Sequence, residues 1–449
     1  MGHSLVNLQS ELAAAGIDVL RVIYADIIGT VRSKDLLVSQ LHRVSHGGPT
    51  FCQGVWVTTT QGGVLDGADV LSNGLEDFVT QIVPESWRAL PWEPGVAYVV
   101  AGANNPDLTP NDLAPRTLLE RIVGEYRALG LVPVVGPELE FYIADRNDDG
   151  TYRRALTQPG RVYTSGATVD PKGTFLHLLR MLDQLRIGVF AGNHEFSPSQ
   201  YEINIWHGEA LDACDRIFML KAGVKDLIAR LGQAATFSGK PWSDEGGSGF
   251  HLHVSLESAE GENLMHSGHD LSVLAQRMIA GIAEHAAALT AFCNPTVNAF
   301  KRLGPDTLAP YRANWGYDNR SAMVRIPPER GSGTRLEVRL GDGAANAYLM
   351  TAAILAAGLD GIRRELDPPP PAFGYAYEDD SRPVLPMDLG SALDALRADS
   401  ALIELLGGPL VDVFEVMKRD EIERYTEAVD DPTTRDVTEW EVKEYFLDL

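Results

Sequence analysis

Four separated stretches share a two-residue rhythm that few soluble folds accommodate. In "GPELEFYI" a strand places Glu138, Glu140 and Tyr142 on one face and Leu139, Phe141 and Ile143 on the other. "GFHLHVS" sets His251, His253 and Ser255 against Phe250, Leu252 and Val254, and "TRLEVRL" sets Arg335, Glu337 and Arg339 against Leu336, Val338 and Leu340. In "NHEFSPSQYEIN", Glu195 and Glu202 flank a tight Ser-Pro turn, with Asn204 continuing the second face. Taken singly, each reads as a half-exposed surface strand. Together they pair fully apolar faces, fit for covering by helices, with faces of carboxylate, imidazole and guanidinium in place of the usual Thr, Lys and Ser. The pattern predicts a sheet with helices on one side and a charged cavity on the other.

If the polar faces converge, Glu138, Glu140, Glu195, Glu202 and Glu337 cannot all remain ionised without cations, because close like charges raise one another's pKa. Hard oxygen ligands with at most one imidazole nitrogen point to magnesium or manganese; zinc favours more His or Cys. The carboxylate count implies more than one ion. Arg302, Arg320, Arg325, Arg335 and Arg339 follow one another closely, interleaved with Gly and Pro. Each alone is an ordinary surface ion-pair partner; clustered beside acidic strand faces, such guanidiniums suit phosphate and carboxylate oxygens. There is no GxxxxGK[ST] and no usable GxGxxG, so a nucleotide site here is neither a P-loop nor a dinucleotide fold.

The 449 residues carry 38 Lys and Arg against 62 Asp and Glu, a net charge of -24, which excludes a protein built to bind nucleic-acid phosphates. Cys52, Cys214 and Cys293 are odd in number and widely spaced, so neither a disulfide framework nor a CxxC metal motif is present; a cytoplasmic location is expected. The longest apolar run, "AYLMTAAILAAGL" at 347–359, falls short of the ~20 residues needed to span a bilayer, and no membrane partner is expected.

Along the chain, a short helix over 5–15 precedes two strands around Gly29; "GVWVTTTQGG" and "DFVTQIV" read as further strands. A polar, Pro-rich joint, "ANNPDLTPNDLAPR", places a boundary near 105, dividing the chain into 1–105 and 106–449. Helices are predicted at 116–130, 211–232, 271–292, 346–366 and 391–406, with "LDPPPPAFG" as a stiff surface connector and no third core after it. No internal repeat is evident.

The motifs "GPELEFYI", "NHEFSPSQYEIN", "GGSGFHLHVS", "NAFKRLGP", "NRSAMVRIP" and "TRLEVRLGDGAANAYL" resemble, in order and spacing, those of the glutamine synthetase family. The resemblance spans essentially the whole chain. It implies an α+β protein: an N-terminal β-grasp domain and a larger catalytic domain with a curved antiparallel sheet backed by helices. It also implies a homo-oligomer of stacked rings, commonly dodecamers of two hexamers in bacteria, with active sites between subunits. The implied reaction is ATP-dependent: the γ-carboxylate of L-glutamate is phosphorylated, and a nitrogen nucleophile displaces phosphate to leave an amide. Carried over residue by residue, Glu140, Glu195 and Glu202 resemble the ligands of one Mg2+ or Mn2+, and Glu138, His251 and Glu337 those of another. His253 and Ser255 would approach ATP. Arg320, Arg325 and Arg335 resemble phosphate-side arginines, and Arg339 and Arg320, with Glu337, the catalytic groups of phosphoryl transfer. Glutamate would be bound through Arg302, Gly247 and Arg339, beside Glu140 and His251.

Three departures bear on the nucleophile. Six residues after the "KR" arginine, where the family's flap carries a glutamate that helps bind and deprotonate ammonium, stands Leu308. The N-terminal segment that supplies an aspartate to the neighbouring site is replaced by "FCQGVWVTT", which contains Trp56 and no acid, and the asparagine before the substrate-loop glycine is Gly246. Loss of carboxylates and gain of apolar surface favour an amine that carries carbon: an alkanolamine, a monoamine or a polyamine. Asp306 is a candidate substitute base, and Asp66 and Asp69 are candidate acids for a polyamine. The alternatives are ammonia-dependent glutamine synthesis with Asp306 in the flap role, and a catalytically silent relative. Tyr377 lies roughly where some members are adenylylated, without the flanking pattern, and reads as a surface-turn tyrosine.

Overall fold

The computed structural model describes residues 5–44, 47–65, 74–158 and 161–449; Asp66 and Asp69 lie outside them. Two sheets organise these residues. The first runs in the order 31–37, 19–25, 96–104, 77–82, 50–52, with 88–89 on the side. Val19–Ala25 pairs antiparallel with Val31–Leu37 and parallel with Val96–Asn104. The turn joining the first two strands needs Gly29: its φ is +88°, and an added Cβ would lie 3.3 Å from the Asn346 backbone. Helix Leu5–Ala14 buries Leu8 and Leu12 against Leu20, Val22 and Val99 on one side of this sheet.

The second sheet has ten strands, ordered 315–317, 324–326, 336–338, 250–257, 132–146, 200–205, 189–194, with three short strands beside the central Val132–Arg146. All its pairings are antiparallel except that between 315–317 and 324–326. Leu139, Phe141, Phe250, Leu252, Val254, Leu336 and Val338 are fully buried, under the helices Pro115–Ala128, Ala210–Arg230, Val273–Glu284 and Ala347–Arg363. At roughly 2 kcal/mol for each such side chain, the apolar alternates hold the sheet and leave the opposite face free to carry charge. The result is an α+β architecture with a curved sheet backed by helices.

Several local expectations are corrected. "GVWVTTTQGG" is no strand: Gln53–Val57 forms a 3-10 turn capped by Cys52 Sγ. Trp56 is wholly buried, 4.7 Å from Phe78 and 6.0 Å from Tyr24 between ring centroids, so it is a core residue and not a surface offered to a neighbouring site. The helical stretch at 271–292 breaks at His285, and that at 391–406 breaks at Asp399. The "TRLEVRL" strand is limited to Leu336–Val338. Tyr377 is only 4% exposed, so it does not sit in a surface turn. A long C-terminal helix, Gly408–Ala428, joins the main core through Leu410, Val413, Phe414 and Met417. All three cysteines are free, and among the described residues no helix is long and apolar enough to cross a membrane.

Candidate active site

Register brings the charged ladders together. Antiparallel pairing sets Glu202 opposite Glu140, Asn204 opposite Glu138, His251 opposite Glu138, and His253 and Arg325 each opposite Glu337. Directly opposed like charges destabilise a sheet, so the Glu140–Glu202 pair is tolerable only with protons or cations. Burial, then the charges of Glu138, Glu140 and Glu195, pushes the Glu202 carboxyl up to about 9. Burial and the Glu195 charge push Glu140 up to about 7, and burial raises Glu195. Burial opposes ionisation of Glu138 as well, but hydrogen bonds from His251 and His253 hold it far below the usual carboxylate range.

Ligand atoms of Glu138, Glu202 and His251 lie within 4.8 Å of one another, as do those of Glu138, His253 and Glu337. Glu138 is thus shared between the two clusters, and Glu202 joins His251 where the resemblance divides them. The two histidines differ in chemistry. Arg335 Nε donates to His253 Nδ1 at 3.1 Å, so the neutral ring carries its proton on Nε2, which faces Glu138 Oε1 at 3.0 Å. That nitrogen then has no lone pair for a metal. Burial, then Arg339, pushes His251 down to about 4, so it stays neutral and keeps a donor lone pair. Carboxylates raised by burial and then by mutual repulsion, around a neutral imidazole, fit a hard divalent cation.

Glu337 is fully buried, ion-paired with both Arg325 and Arg339; burial opposes its charge, but the Arg339 and Arg325 guanidiniums hold it down at about 2. Arg325 also reaches Asp318 at 2.7 Å. Arg320 is exposed at the rim, near enough to Glu195 to favour that carboxylate's charge. Arg302 is buried across Gly247, where an added Cβ would come within 2.2 Å of its Cγ, which makes a side chain at 247 incompatible with this placement. Gly246 N–H donates to Ser197 Oγ, and its carbonyl accepts from the Tyr142 hydroxyl, each at 2.7 Å.

Leu308 is half-exposed, and its carbonyl accepts from Arg339 Nη2 at 3.2 Å. Asp306 and Leu308 both adopt left-handed backbone, φ +64° and +60°. The Asp306 carboxylate accepts a hydrogen bond from the exposed Tyr375 hydroxyl.

A cavity of ≈ 270 Å³ opens beside Glu138, His253, Ser255 and Arg335. Phe190 and Trp206 stack at its wall, ring centroids 4.3 Å apart, both half-exposed. Sequence reasoning missed this aromatic pair. It also missed Gln200, whose Nε2 donates to Glu140 Oε2 at 3.1 Å and to the Gly247 carbonyl at 3.0 Å. Gln200 shares strand parity with Glu202 and Asn204, a signal available in the sequence. Tyr163, held at φ +55°, was missed too, and nothing in its loop's periodicity marks it; it lies within electrostatic range of Glu195 and Arg320.

The sequence profile described as "Glutamine synthetase, catalytic domain" matches residues 112–445. The glutamine synthetases of Pyrococcus horikoshii and Halobacterium salinarum are 34% and 30% identical to this chain, covering 96% and 97% of it and 96% and 95% of their own lengths. A solved structure described as "GmaS/ADP complex-Conformation 1" superposes with a TM-score of 0.84 at 32% identity, covering 97% of this chain and 98% of that one. Another, "Crystal structure of novel glutamine synthase homolog", gives 0.82 at 26% identity over 93% and 96%. With acidic, imidazole and arginine ladders meeting on one sheet face, the chain belongs to the glutamine synthetase family and is an ATP-dependent ligase.

Proposed function

We propose that this enzyme joins an organic amine, of the alkanolamine, monoamine or polyamine class, to the γ-carboxylate of L-glutamate through a γ-glutamyl phosphate. The observation that carries the reading is the flap. Leu308 presents a hydrocarbon side chain where the family carries a carboxylate, and the nearest acid in the loop, Asp306, is engaged by Tyr375. Ammonium requires carboxylates that replace its water and take its proton, whereas an amine with carbon gains from apolar contact. The structures described as "GmaS/ADP complex-Conformation 1" and "Apo GmaS without ligand", each 32% identical to this chain, are the solved relatives against which the amine preference can be compared.

In this reading Glu138, Glu140, Glu195, Glu202, His251 and Glu337 hold two or more Mg2+ or Mn2+ ions. When bound, such ions neutralise the carboxylates and the triphosphate. Trp206 and Phe190 offer a flat surface for the base of ATP, and His253, Ser255 and Arg335 line its path. Arg302 binds the α-carboxylate of glutamate over Gly247. In this reading the glutamate γ-carboxylate attacks the terminal phosphorus and ADP leaves, and Arg339, Arg320 and Arg325 stabilise the charge that gathers there. The neutral amine then attacks the acyl carbon, inorganic phosphate departs, and the nitrogen gives up its extra proton. Assembly into stacked rings, with sites completed between subunits, is part of the same proposal.

Replacing the hydrocarbon tests the reading. Leu308→Glu is expected to move the ratio of kcat/KM for methylamine over ammonium toward ammonium by about tenfold, the scale of one charge-assisted hydrogen bond. An unaltered amine spectrum would count against it.

A further inference from the structure

Asp342 plays no part in the scheme above, yet it is fully buried just behind the Arg302 guanidinium. Its Oδ2 lies 3.8 Å from Arg302 Nε, and neither atom has a hydrogen-bond partner among the described residues. The carboxylate itself is fixed. Oδ1 accepts from Ala344 N–H at 2.7 Å, and the Asp342 N–H donates to the Cys293 carbonyl at 2.8 Å. Lys221 Nζ clamps the following turn through the carbonyls of Gly343 and Ala345, at 2.8 and 3.1 Å. Gly239 makes room, since a Cβ there would fall 1.6 Å from Oδ2.

We propose that Asp342 is the positioning residue of Arg302, a fixed buried anion that aims the guanidinium across Gly247 at the substrate's α-carboxylate. A side chain held by its own backbone neighbours sets the place of a flexible one, and a buried charge draws its partner strongly because little solvent screens it. Arg302 Nη2 is meanwhile anchored by the Leu340 carbonyl at 2.7 Å and Asn294 Oδ1 at 3.3 Å. Guanidinium orientation is therefore set from two sides, and the edge that remains meets the ligand. The inference rests on Arg302 being the carboxylate clamp.

The test uses the full-length enzyme with Mg2+, ATP, glutamate and methylamine, and determines KM for each substrate separately. Asp342→Asn keeps the shape and the Oδ1 acceptor. It is expected to raise KM for glutamate about tenfold, leaving KM for ATP and methylamine within about twofold. Gly239→Ala keeps the charge but displaces the carboxylate, and is expected to produce the same glutamate-selective rise; it decides the matter if Asp342→Asn does not fold. Wild-type glutamate KM in a folded variant, or equal rises for all three substrates, would overturn the proposal. Arg302→Ala separates the two levels. An unchanged glutamate KM there refutes the clamp itself, whereas a large rise there beside a silent Asp342→Asn refutes only the role of Asp342.

Discussion

At the scale of single residues, Glu337 and Glu202 make opposite predictions. Glu337 is ionised between two arginines, so Glu337→Gln removes a charge that the proposed mechanism uses and is expected to lower kcat at least about 100-fold. Near-normal turnover would refute its role. Glu202 and Glu140 have raised pKa values, about 9 and 7, because of burial and like-charge neighbours. Below those values they hold protons, so if they ligate Mg2+ as proposed, its binding is expected to expel protons and tighten as pH rises from 6 toward 9. Calorimetric titration in buffers of different ionisation enthalpy reads this directly; pH-independent affinity without proton release would contradict it. The alternation of "GPELEFYI", "NHEFSPSQYEIN", "GFHLHVS" and "TRLEVRL" made these carboxylates and the two imidazoles legible in the sequence. Which histidine keeps a lone pair was not, because that depends on Arg335 reaching His253 from a segment about eighty residues away.

At the scale of elements, helices expected as continuous break where charge is buried. His285, between Val273–Glu284 and Ala286–Cys293, bonds Asp399 at 2.6 Å and Asp360 at 2.9 Å, joining three helical segments. Burial would lower its pKa, but these two carboxylates raise it. A raised histidine pKa contributes stability that is complete below the unfolded value of about 6.5 and is lost as pH climbs through the folded value. Thermal melts should therefore fall across that upper range. His285→Gln should flatten the fall and cost about 2 kcal/mol at pH 6. An identical pH profile in the variant would remove the clamp from the account. The helix Gly408–Ala428 escaped sequence reading because its second half buries Lys418 and Glu421 as an ion pair at 2.8 Å, which interrupts the apolar stripe. Trp56 misled for a related reason: its burial is decided by Tyr24 and Phe78, strand residues distant in sequence, and its own turn carries no clear period.

For the whole molecule, the joint between the two sheets is as informative as either sheet. Asn346 caps the helix Ala347–Arg363 through the N–H groups of Tyr348 and Leu349, and also donates to the Asp26 carbonyl at 2.8 Å. Asn346→Ala should cost about 1–2 kcal/mol in chemical denaturation, the sum of a lost cap and an unpaired buried carbonyl. An unchanged midpoint would show that the joint is held elsewhere. The overall architecture was readable because strands with charged and apolar faces admit few arrangements. The proposed choice of nucleophile was less readable, since the loop it is argued from includes two left-handed residues, Asp306 and Leu308, and a contact with a tyrosine from a distant connector. The most direct measurement of the central claim is a competition: enzyme, Mg-ATP and glutamate with equal concentrations of ammonium and methylamine, ethanolamine or putrescine, followed by product mass and phosphate release. The account predicts that a γ-glutamyl amide of one of the organic amines dominates with stoichiometric phosphate. Glutamine as the main product, or no phosphate released with any nucleophile, would contradict it.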